Sequence, residues 1–419
     1  MAVEILAPAG DFEKLKTAVR FGANAVYLAG KSFGLRAFAG NFDSEEMKQA
    51  VAFCHGRGVK VYVTVNIYAK ESDIPYLPRY LEELEETGVD AVLVSDPGII
   101  ELIHEYAPGL TIHLSTQAST TNSAAVRFWA KQGVGRIVLA REASLSDLTE
   151  ITKAAHSLGV ETEAFVHGAM CISYSGRCLM SDFLTHRGGN RGQCVQACRW
   201  AWQITEADKP DQPLILQEDG RGTYIMNSKD LNMIEHIAEL CECGVDSLKI
   251  EGRMKSPFYV GTVVNAYRRA ADGYYAWRKD NPSAKTEDFS TDERLVAELY
   301  KAAHRKYTTG FYYEDTTGRQ YYESSRAVAE SVFAAIVLGR KDDRILVEMR
   351  NRFRAGDELE VLSAGEAFDK RFVVSEMTDE AGNPVDDAKL VQQKLWIKCA
   401  LPVGEGDILR TVPVCGEEE

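Results

Sequence analysis

The feature that most constrains this chain is an alternation of short strand patterns and helix patterns that recurs eight times in its first 280 residues. Each strand pattern is a short run rich in β-branched residues, and a helix pattern separates it from the next. The eight predicted strands cover 3–10, 25–30, 60–66, 91–96, 111–116, 136–140, 161–168 and 246–252. This repeat predicts an α/β fold, a closed TIM-like (β/α)8 barrel. An open, doubly wound sheet is the alternative, although no GxGxxG follows the first strand.

The alternation is interrupted once and then ends. An irregular insertion at 169–230 follows the seventh strand, and a long helix pattern at 256–280 closes the set. We therefore expect the barrel to cover 1–280 and a polar linker or wrap to cover 281–328. Short alternating strands with turn signals fill 329–415, which predicts a small all-β domain, itself a barrel.

The overall composition limits the cellular compartments and the classes of binding partner that we expect for this chain. The formal net charge of −14 provides no global basic field for nucleic acid, although a local basic patch can act at short range. There is no apolar run of membrane-spanning length, and the N-terminal residues do not have the pattern of a secretory signal. We expect a cytoplasmic protein without a membrane partner.

Four of the nine cysteines cluster directly after the seventh strand: Cys171, Cys178, Cys194 and Cys198. Disulfides are unusual inside cells, so such clustering indicates metal or redox chemistry. The segment after a strand's carboxyl end lies on the catalytic face of an α/β barrel. Four thiolates suit zinc or an iron–sulfur cluster, and the wide first pair favours the cluster over a zinc ribbon. Zinc and ordinary buried thiols remain alternatives.

The residues around these cysteines resemble a known family. The runs EAFVHGAMC at 163–171 and GRCLMS at 176–181 match the signature of the family catalogued as peptidase U32, the collagenase-like peptidases. Further similar stretches lie at 6–30, 115–122, 190–198 and 248–253. The resemblance covers nearly the whole chain, including a C-terminal β-domain of the family's type.

The activity that this resemblance implies is divided. Some members are described as peptidases, whereas others resemble oxygen-independent hydroxylases with a [4Fe–4S] cluster that act on a tRNA wobble uridine, a ribosomal RNA cytidine or the ubiquinone ring. The length of this chain resembles the tRNA branch, which takes its hydroxyl group from prephenate. The resemblance thus implies an enzyme that makes 5-hydroxyuridine in tRNA, with the four cysteines as cluster ligands, prephenate as donor and an unidentified electron donor.

Polar side chains at the predicted strand ends supply candidates for catalysis and for binding a small substrate. The candidate catalytic residues are His167, Arg141, Glu251 and Asp96, and the candidate substrate ligands are Asn66, Gln117 and Arg253. A histidine can exchange a proton near neutral pH, and paired arginines can hold a dicarboxylate such as prephenate. The structural alternatives are a histidine that packs against the cysteine segment and arginines in salt bridges with Glu142 or Glu251.

A basic set surrounds the cysteines and predicts RNA contact. Its members are Arg177, Arg187, Arg191 and Arg199, followed by Trp200 and Trp202. Arginine beside aromatic residues is the composition that holds phosphate and stacks an extruded base. A second set, Arg305, Lys306, Tyr307, Tyr312 and Tyr313, could extend this surface. The alternative is a solvated segment with core tryptophans.

Protease machinery is sparse in the sequence. Pro108 stands where a zinc-protease HExxH motif beginning at His104 would need its second histidine, and no GxSxG elbow occurs. A cysteine protease would have to combine His167 with one of the first two clustered cysteines, which would break up a matched set of four. A peptidase, and a non-catalytic RNA-binding factor with structural zinc, remain the alternatives to a hydroxylase.

Overall fold

The computed structural model describes residues 2–34, 40–200, 205–206, 209–213, 228–313 and 327–412. Trp202 and the last three residues of the predicted 329–415 domain lie outside these ranges.

Eight parallel strands form a closed barrel. They are Glu4–Pro8 (β1), Ala25–Leu28 (β2), Lys60–Thr64 (β3), Ala91–Val94 (β4), Ile112–Leu114 (β5), Val134–Val138 (β6), Glu161–Ala169 (β7) and Ser247–Ile250 (β8). Each strand pairs with the next in the chain, and β8 pairs with both β7 and β1, which closes the ring. The predicted barrel is therefore confirmed, and the open sheet is excluded.

Helices surround the barrel and begin at polar caps. Those between the strands are Phe12–Arg20 (α1), Ser44–His55 (α2), Leu77–Thr87 (α3), Pro97–Tyr106 (α4), Ser123–Lys131 (α5) and Leu145–His156 (α6). Asp11, Asp43, Asn122 and Ser144 each accept a hydrogen bond from a backbone N–H in the first turn of the following helix. Such caps fix where each of these helices starts.

The insertion after β7 contains the cysteines and little regular structure. We call residues 170–200 the cysteine loop; it holds one short helix, Met180–Thr185 (α7). A short hairpin follows at Thr205–Glu206 and Lys209–Pro213, and Asp230–Asn232 then pairs antiparallel with β7. The sequence pattern predicts a helix over 232–244, but the helix Ile237–Glu242 (α8) is shorter. The Asn232 side chain accepts the Ile234 N–H at 3.1 Å and forms a local turn before it.

Two helices connect the barrel to a C-terminal β-domain: Pro257–Asp280 (α9) and Glu293–Lys301 (α10). The domain's strands are Phe333–Lys341 (β9), Arg344–Met349 (β10), Phe353–Arg354 (β11), Glu358–Leu362 (β12), Arg371–Val373 (β13), Met377–Thr378 (β14), Asp387–Ala388 (β15), Lys394–Lys398 (β16) and Ile408–Thr411 (β17). Seven of them form an antiparallel sheet in the order β13-β12-β17-β9-β10-β16-β14, and β11 pairs with β15. The predicted C-terminal β-domain is confirmed.

The C-terminal domain has its own apolar core and packs closely on the barrel. Leu362 and Ile408 join the barrel's apolar core, whereas the other buried side chains of the domain form a second cluster. None of the helices in the described ranges combines the length and apolar character needed to cross a bilayer.

Candidate active site at the barrel mouth

A cavity opens at the carboxyl ends of the barrel strands, under the cysteine loop. We call it the mouth cavity. The strand ends contribute Asn66, Gln117, Arg141, Lys249, Glu251 and Arg253, and the loop contributes Cys171, Tyr174, Cys178, Ser181 and Cys194. Its volume is about 140 Å³, close to the roughly 150 Å³ of a cavity that accepts benzene. The mouth cavity therefore has room for one six-membered ring.

The cavity carries more positive than negative side chains. Arg141 is held in place because Nη1 donates to the Ala169 carbonyl at 2.8 Å, Nη2 lies 3.6 Å from a Glu251 oxygen, and the guanidinium lies 3.8 Å from the centre of the Phe165 ring. With Lys249 and Arg253 it makes three cations against one lining carboxylate, Glu251. A site of this charge favours an anionic ligand.

Lys249 is a lining residue that the sequence predictions missed. Its Nζ donates to Glu163 Oε1 at 2.6 Å, and it lies 4.6 Å from the centre of the Tyr27 ring. Burial lowers the pKa of Lys249, although the Glu163 carboxylate opposes that shift. Glu163 is buried and also contacts Arg136 Nη1 at 3.3 Å, so the carboxylate holds cations on both sides. The available signal was a lysine between two apolar residues, Leu248 and Ile250, in strand β8.

The four clustered cysteines lie close together on the roof of the cavity. Cys171, Cys178 and Cys194 line it, whereas Cys198 lies behind them. Burial raises the pKa of Cys198 to about 11 against the opposing charge of Arg199, and the proximity of the other three cysteines adds to the rise. The Gln196 N–H lies 3.4 Å from Cys194 Sγ.

The spacing of these sulfur atoms is wider than a zinc site requires. Within the described ranges, only Glu298, Glu360 and Asp369 form a group of three or more possible metal ligands with all ligand atoms within 4.8 Å of one another. No three of the cysteine sulfurs therefore satisfy that limit. Tetrahedral zinc with Zn–S bonds of about 2.3 Å would place its sulfurs roughly 3.8 Å apart. The four sulfur atoms as they lie here therefore do not form a closed tetrahedral zinc site.

Two of the predicted catalytic residues lie outside the cavity lining. The His167 ring is buried among tyrosines, with its centre 5.6 Å from that of Tyr267 and 5.4 Å from that of Tyr307. Burial lowers the pKa of His167 to about 3, so the ring is neutral at pH 7. The Asp96 carboxylate caps α4, accepting the Gly98 N–H at 2.8 Å, and also accepts the Ala69 N–H at 3.0 Å. Catalytic roles for both residues stay predictions.

The four arginines of the cysteine loop divide into two pairs. Arg191 donates to both carboxylate oxygens of Asp73, at 2.7 and 3.1 Å, and Arg199 donates to the Met170 carbonyl at 3.2 Å. Arg191 thus holds the loop on the barrel, and Arg199 joins the two ends of the loop. Arg177 is exposed and Arg187 is partly exposed, so both are positioned to meet a substrate.

The second predicted RNA patch is used internally. Arg305 pairs with the buried Asp230 at 3.2 Å, and the buried Tyr312 hydroxyl donates to the Phe165 carbonyl at 2.6 Å. The Tyr313 hydroxyl contacts His236 Nδ1. These contacts tie the segment after α10 to the barrel.

Comparison with known proteins identifies the family of this chain and several similar proteins. The model of the family described as peptidase family U32 matches residues 10–321, and that of its C-terminal domain matches 329–410. The tRNA hydroxylation protein P1 of Bacillus subtilis (strain 168) is 40% identical over 411 residues, covering 97% of this chain and 94% of that protein. The tRNA hydroxylation protein P of Escherichia coli (strain K12) is 36% identical over 402 residues, covering 86% of each. A 23S rRNA 5-hydroxycytidine synthase of the same strain is 32% identical, covering 90% of this chain and 55% of that protein.

Proposed function

This chain belongs to peptidase family U32, and from that premise we propose that it is an RNA-modifying hydroxylase. The observation that carries the proposal is a cavity sized for one ring that three of the four clustered cysteines line, with the fourth close to them. A pyrimidine base extruded from its stack is a ring of that size, and enzymes that modify a base gain access to it in this way. The relatives named for hydroxylation of tRNA or ribosomal RNA support the same activity.

The finer proposal is that the substrate is tRNA and the product 5-hydroxyuridine at the wobble position. Coverage supports this choice, because this chain and the tRNA hydroxylation protein P1 align over nearly their full lengths, whereas the ribosomal RNA enzyme extends well beyond the match. The wobble base lies in a single-stranded loop, where extrusion costs less than in a duplex. We place the reaction in the cytoplasm, where tRNA is modified.

We further propose that Cys171, Cys178, Cys194 and Cys198 hold a [4Fe–4S] cluster. The wide sulfur spacing supports it over zinc, and the Gln196 N–H near Cys194 Sγ is the kind of hydrogen bond that tunes such a centre. When bound, the cluster would supply one-electron redox chemistry to the roof of the mouth cavity. An unidentified electron donor completes the set of partners.

The cations of the mouth cavity support an organic acid as hydroxyl donor, and we propose prephenate. Arg141 and Arg253 would bind its carboxylates, and Glu251 would keep Arg141 oriented through their 3.6 Å contact. Lys249 at the floor adds positive charge. Exchange of the ring hydrogen at C5 for hydroxyl is a two-electron oxidation of uridine. The reaction balances when the donor takes up those two electrons and the hydrogen as it gives up its hydroxyl group, so the separate electron donor would serve only to set the oxidation state of the cluster. Molecular oxygen is then not required.

The residues of the site do not support the peptidase alternative. A cysteine nucleophile needs a base within hydrogen-bonding reach. No histidine is among the lining residues in the described part of the chain, and His167, the nearest candidate in sequence, lies on β7 with its ring buried among tyrosines.

Nucleoside analysis tests the proposed function directly. Cells that lack the gene are complemented with the wild type, with Cys194→Ala and with Cys54→Ala, which removes a buried free thiol far from the cysteine loop in sequence. We expect the wild type and Cys54→Ala to restore a uridine-derived nucleoside heavier by one oxygen in tRNA, and Cys194→Ala to leave it absent. An unchanged nucleoside profile in the deletion, with no second enzyme of this family in the genome, would overturn the proposal.

Metal analysis tests the proposed cofactor independently. Anaerobically purified protein is expected to be brown and to contain about four iron and four sulfide per chain. A colourless protein with one zinc per chain would instead support the RNA-binding factor with structural zinc. A protein that contains no metal and cleaves peptides would support the peptidase alternative.

A further inference from the structure

Large apolar side chains are concentrated on the outside of the cysteine loop. Leu179 is 72% exposed and Phe183 is 84% exposed, and Tyr174, which lines the mouth cavity, is also exposed. We call these three residues the apolar ledge. Single exposed apolar residues are common, but several in one short loop beside a candidate active site indicate an interaction surface.

The short helix α7 separates two residues of this ledge, Leu179 and Phe183, from the cavity. The Phe183 N–H donates to the Leu179 carbonyl at 2.9 Å, so the two residues are one helical turn apart and share a face. Ser181, two residues from each, is 2% exposed and lines the mouth cavity on the opposite face. Leu179 and Phe183 therefore form the outer rim of the wall whose inner side faces the reacting ring.

The charge around the ledge identifies the chemistry of its partner. Residues 171–200 contain four arginines and one acid, Asp182, which is a formal charge of +3 in a chain whose net charge is −14. Arg177 follows Tyr174 in a turn, where its N–H donates to the Tyr174 carbonyl at 3.0 Å, and its side chain is exposed. Flat apolar side chains beside cations match the unstacked bases and phosphates of single-stranded nucleic acid.

We propose that the apolar ledge stacks unpaired nucleotides that flank the target base while that base occupies the mouth cavity. The inference rests on the proposed function, because it takes the target to be a base in RNA. Extrusion of the target leaves its neighbours without one stacking partner, and the ledge replaces that partner. Since every base has an apolar face, the ledge selects for unpaired RNA rather than for one sequence.

Binding measurements with two RNA probes test the ledge. The probes are a hairpin whose loop contains uridine and a fully paired duplex of the same length, with fluorescence anisotropy read at several salt concentrations. We expect Phe183→Ala to bind the hairpin about tenfold more weakly than the wild type, without a change in duplex affinity or in the salt dependence. Arg177→Gln is expected to reduce the salt dependence instead, because it removes a phosphate contact.

A matched control comes from the outer helices of the barrel. Phe128 on α5 is 55% exposed, so Phe128→Ala removes an exposed aromatic ring away from the cysteine loop and is expected to leave both affinities unchanged. Hairpin binding by Phe183→Ala equal to that of the wild type would overturn the ledge. An equal loss on the duplex would also overturn it, since paired bases offer no free faces.

Different results would refute the proposed role of the ledge and the proposed function. With hydroxylation as the readout, Phe183→Ala is expected to raise KM for RNA about tenfold and to leave kcat unchanged, since Phe183 lies outside the cavity. A wild type that hydroxylates RNA, together with an unchanged KM in Phe183→Ala, would refute the ledge alone. A wild type that binds the hairpin through Phe183 but forms no hydroxylated nucleoside would support the ledge and refute the proposed function.

Discussion

Replacing Arg410 with methionine is expected to loosen the attachment of the C-terminal domain to the barrel. Arg410 on β17 is fully buried and joins Glu298 of α10 to Glu360 of β12. Its Nη2 donates to Glu298 at 2.6 Å and to Glu360 at 2.7 Å. Lys301 adds a contact to Glu360 at 2.6 Å. The network therefore spans the two domains.

The expected magnitude follows from what remains after the substitution. In Arg410→Met, two fully buried carboxylates share Lys301 as their buried cation. Removal of one partner from a buried ion network costs about 3–5 kcal/mol, because the other charge is left uncompensated. Since about 1.4 kcal/mol corresponds to a factor of ten, local opening should become roughly a hundred to several thousand times more frequent.

Hydrogen–deuterium exchange is the suitable assay, because it reports local opening without assuming two-state unfolding. Amides of α10, β12 and β17 should exchange faster in Arg410→Met, whereas those of β2 to β5 should not change. Arg352→Met is the control, since Arg352 makes a paired contact with Asp387 at 2.6 and 2.9 Å on the exposed surface of the same domain. It should leave exchange unchanged. Equal protection of β17 in Arg410→Met and wild type would refute the reasoning.

The same network has a defined pH dependence. Burial alone would raise the pKa of Glu360, but the charges of Arg410 and Lys301 outweigh burial and lower it. A carboxyl group with a lowered pKa contributes stability above its unfolded pKa of about 4.3, and this is lost as the pH falls through the folded value. In Arg410→Met the pKa of Glu360 is lowered less, because one of the two cations is missing. The difference in protection between wild type and variant should therefore narrow below about pH 4.

Three further predictions concern the site. Arg141→Lys keeps the charge but loses the planar fork, so KM for the anionic donor should rise about tenfold with kcat retained, as measured by steady-state kinetics. Because burial lowers the pKa of His167 to about 3, protonation of this ring favours unfolding, and wild-type thermal stability should fall as the pH drops below about 6.5. His167→Gln should flatten that decline, and an identical pH profile would contradict the neutral ring. Cys198→Ala, like Cys194→Ala, should lower the iron and sulfide content of the purified protein. If Cys198→Ala kept its full iron and sulfide content, Cys198 would not be a ligand, and the protein would supply only three ligands to the cluster.

The barrel and much of its mouth could be predicted from the sequence, because in parallel βα units every strand ends at the same face. That rule alone brings Asn66, Gln117, Arg141, Glu251 and Arg253 to one cavity. It depends on the order of elements and not on the details of packing, which is why a strand–helix pattern was sufficient.

Strand register and irregular backbone explain why the strand–helix pattern did not predict the remaining features of the site. A β-bulge where β7 pairs with Lys249 and Ile250 shifts the register by one residue, so His167 does not follow Phe165 into the barrel. Lys249 lay hidden because strand alternation does not reveal which buried position carries a charge. The apolar ledge lies in a loop without periodicity, where exposure is decided by the fold of the loop itself.

The central claim is that the cysteine loop serves oxygen-independent hydroxylation of RNA, and an anaerobic reaction tests it most directly. Reconstituted protein is incubated under nitrogen with RNA from the deletion strain, prephenate and a chemical reductant, and the nucleosides are analysed by mass spectrometry. The account predicts a uridine derivative heavier by one oxygen, formed by the wild type and not by Cys194→Ala. A product that forms only when oxygen is admitted, or forms equally with Cys194→Ala, would contradict it.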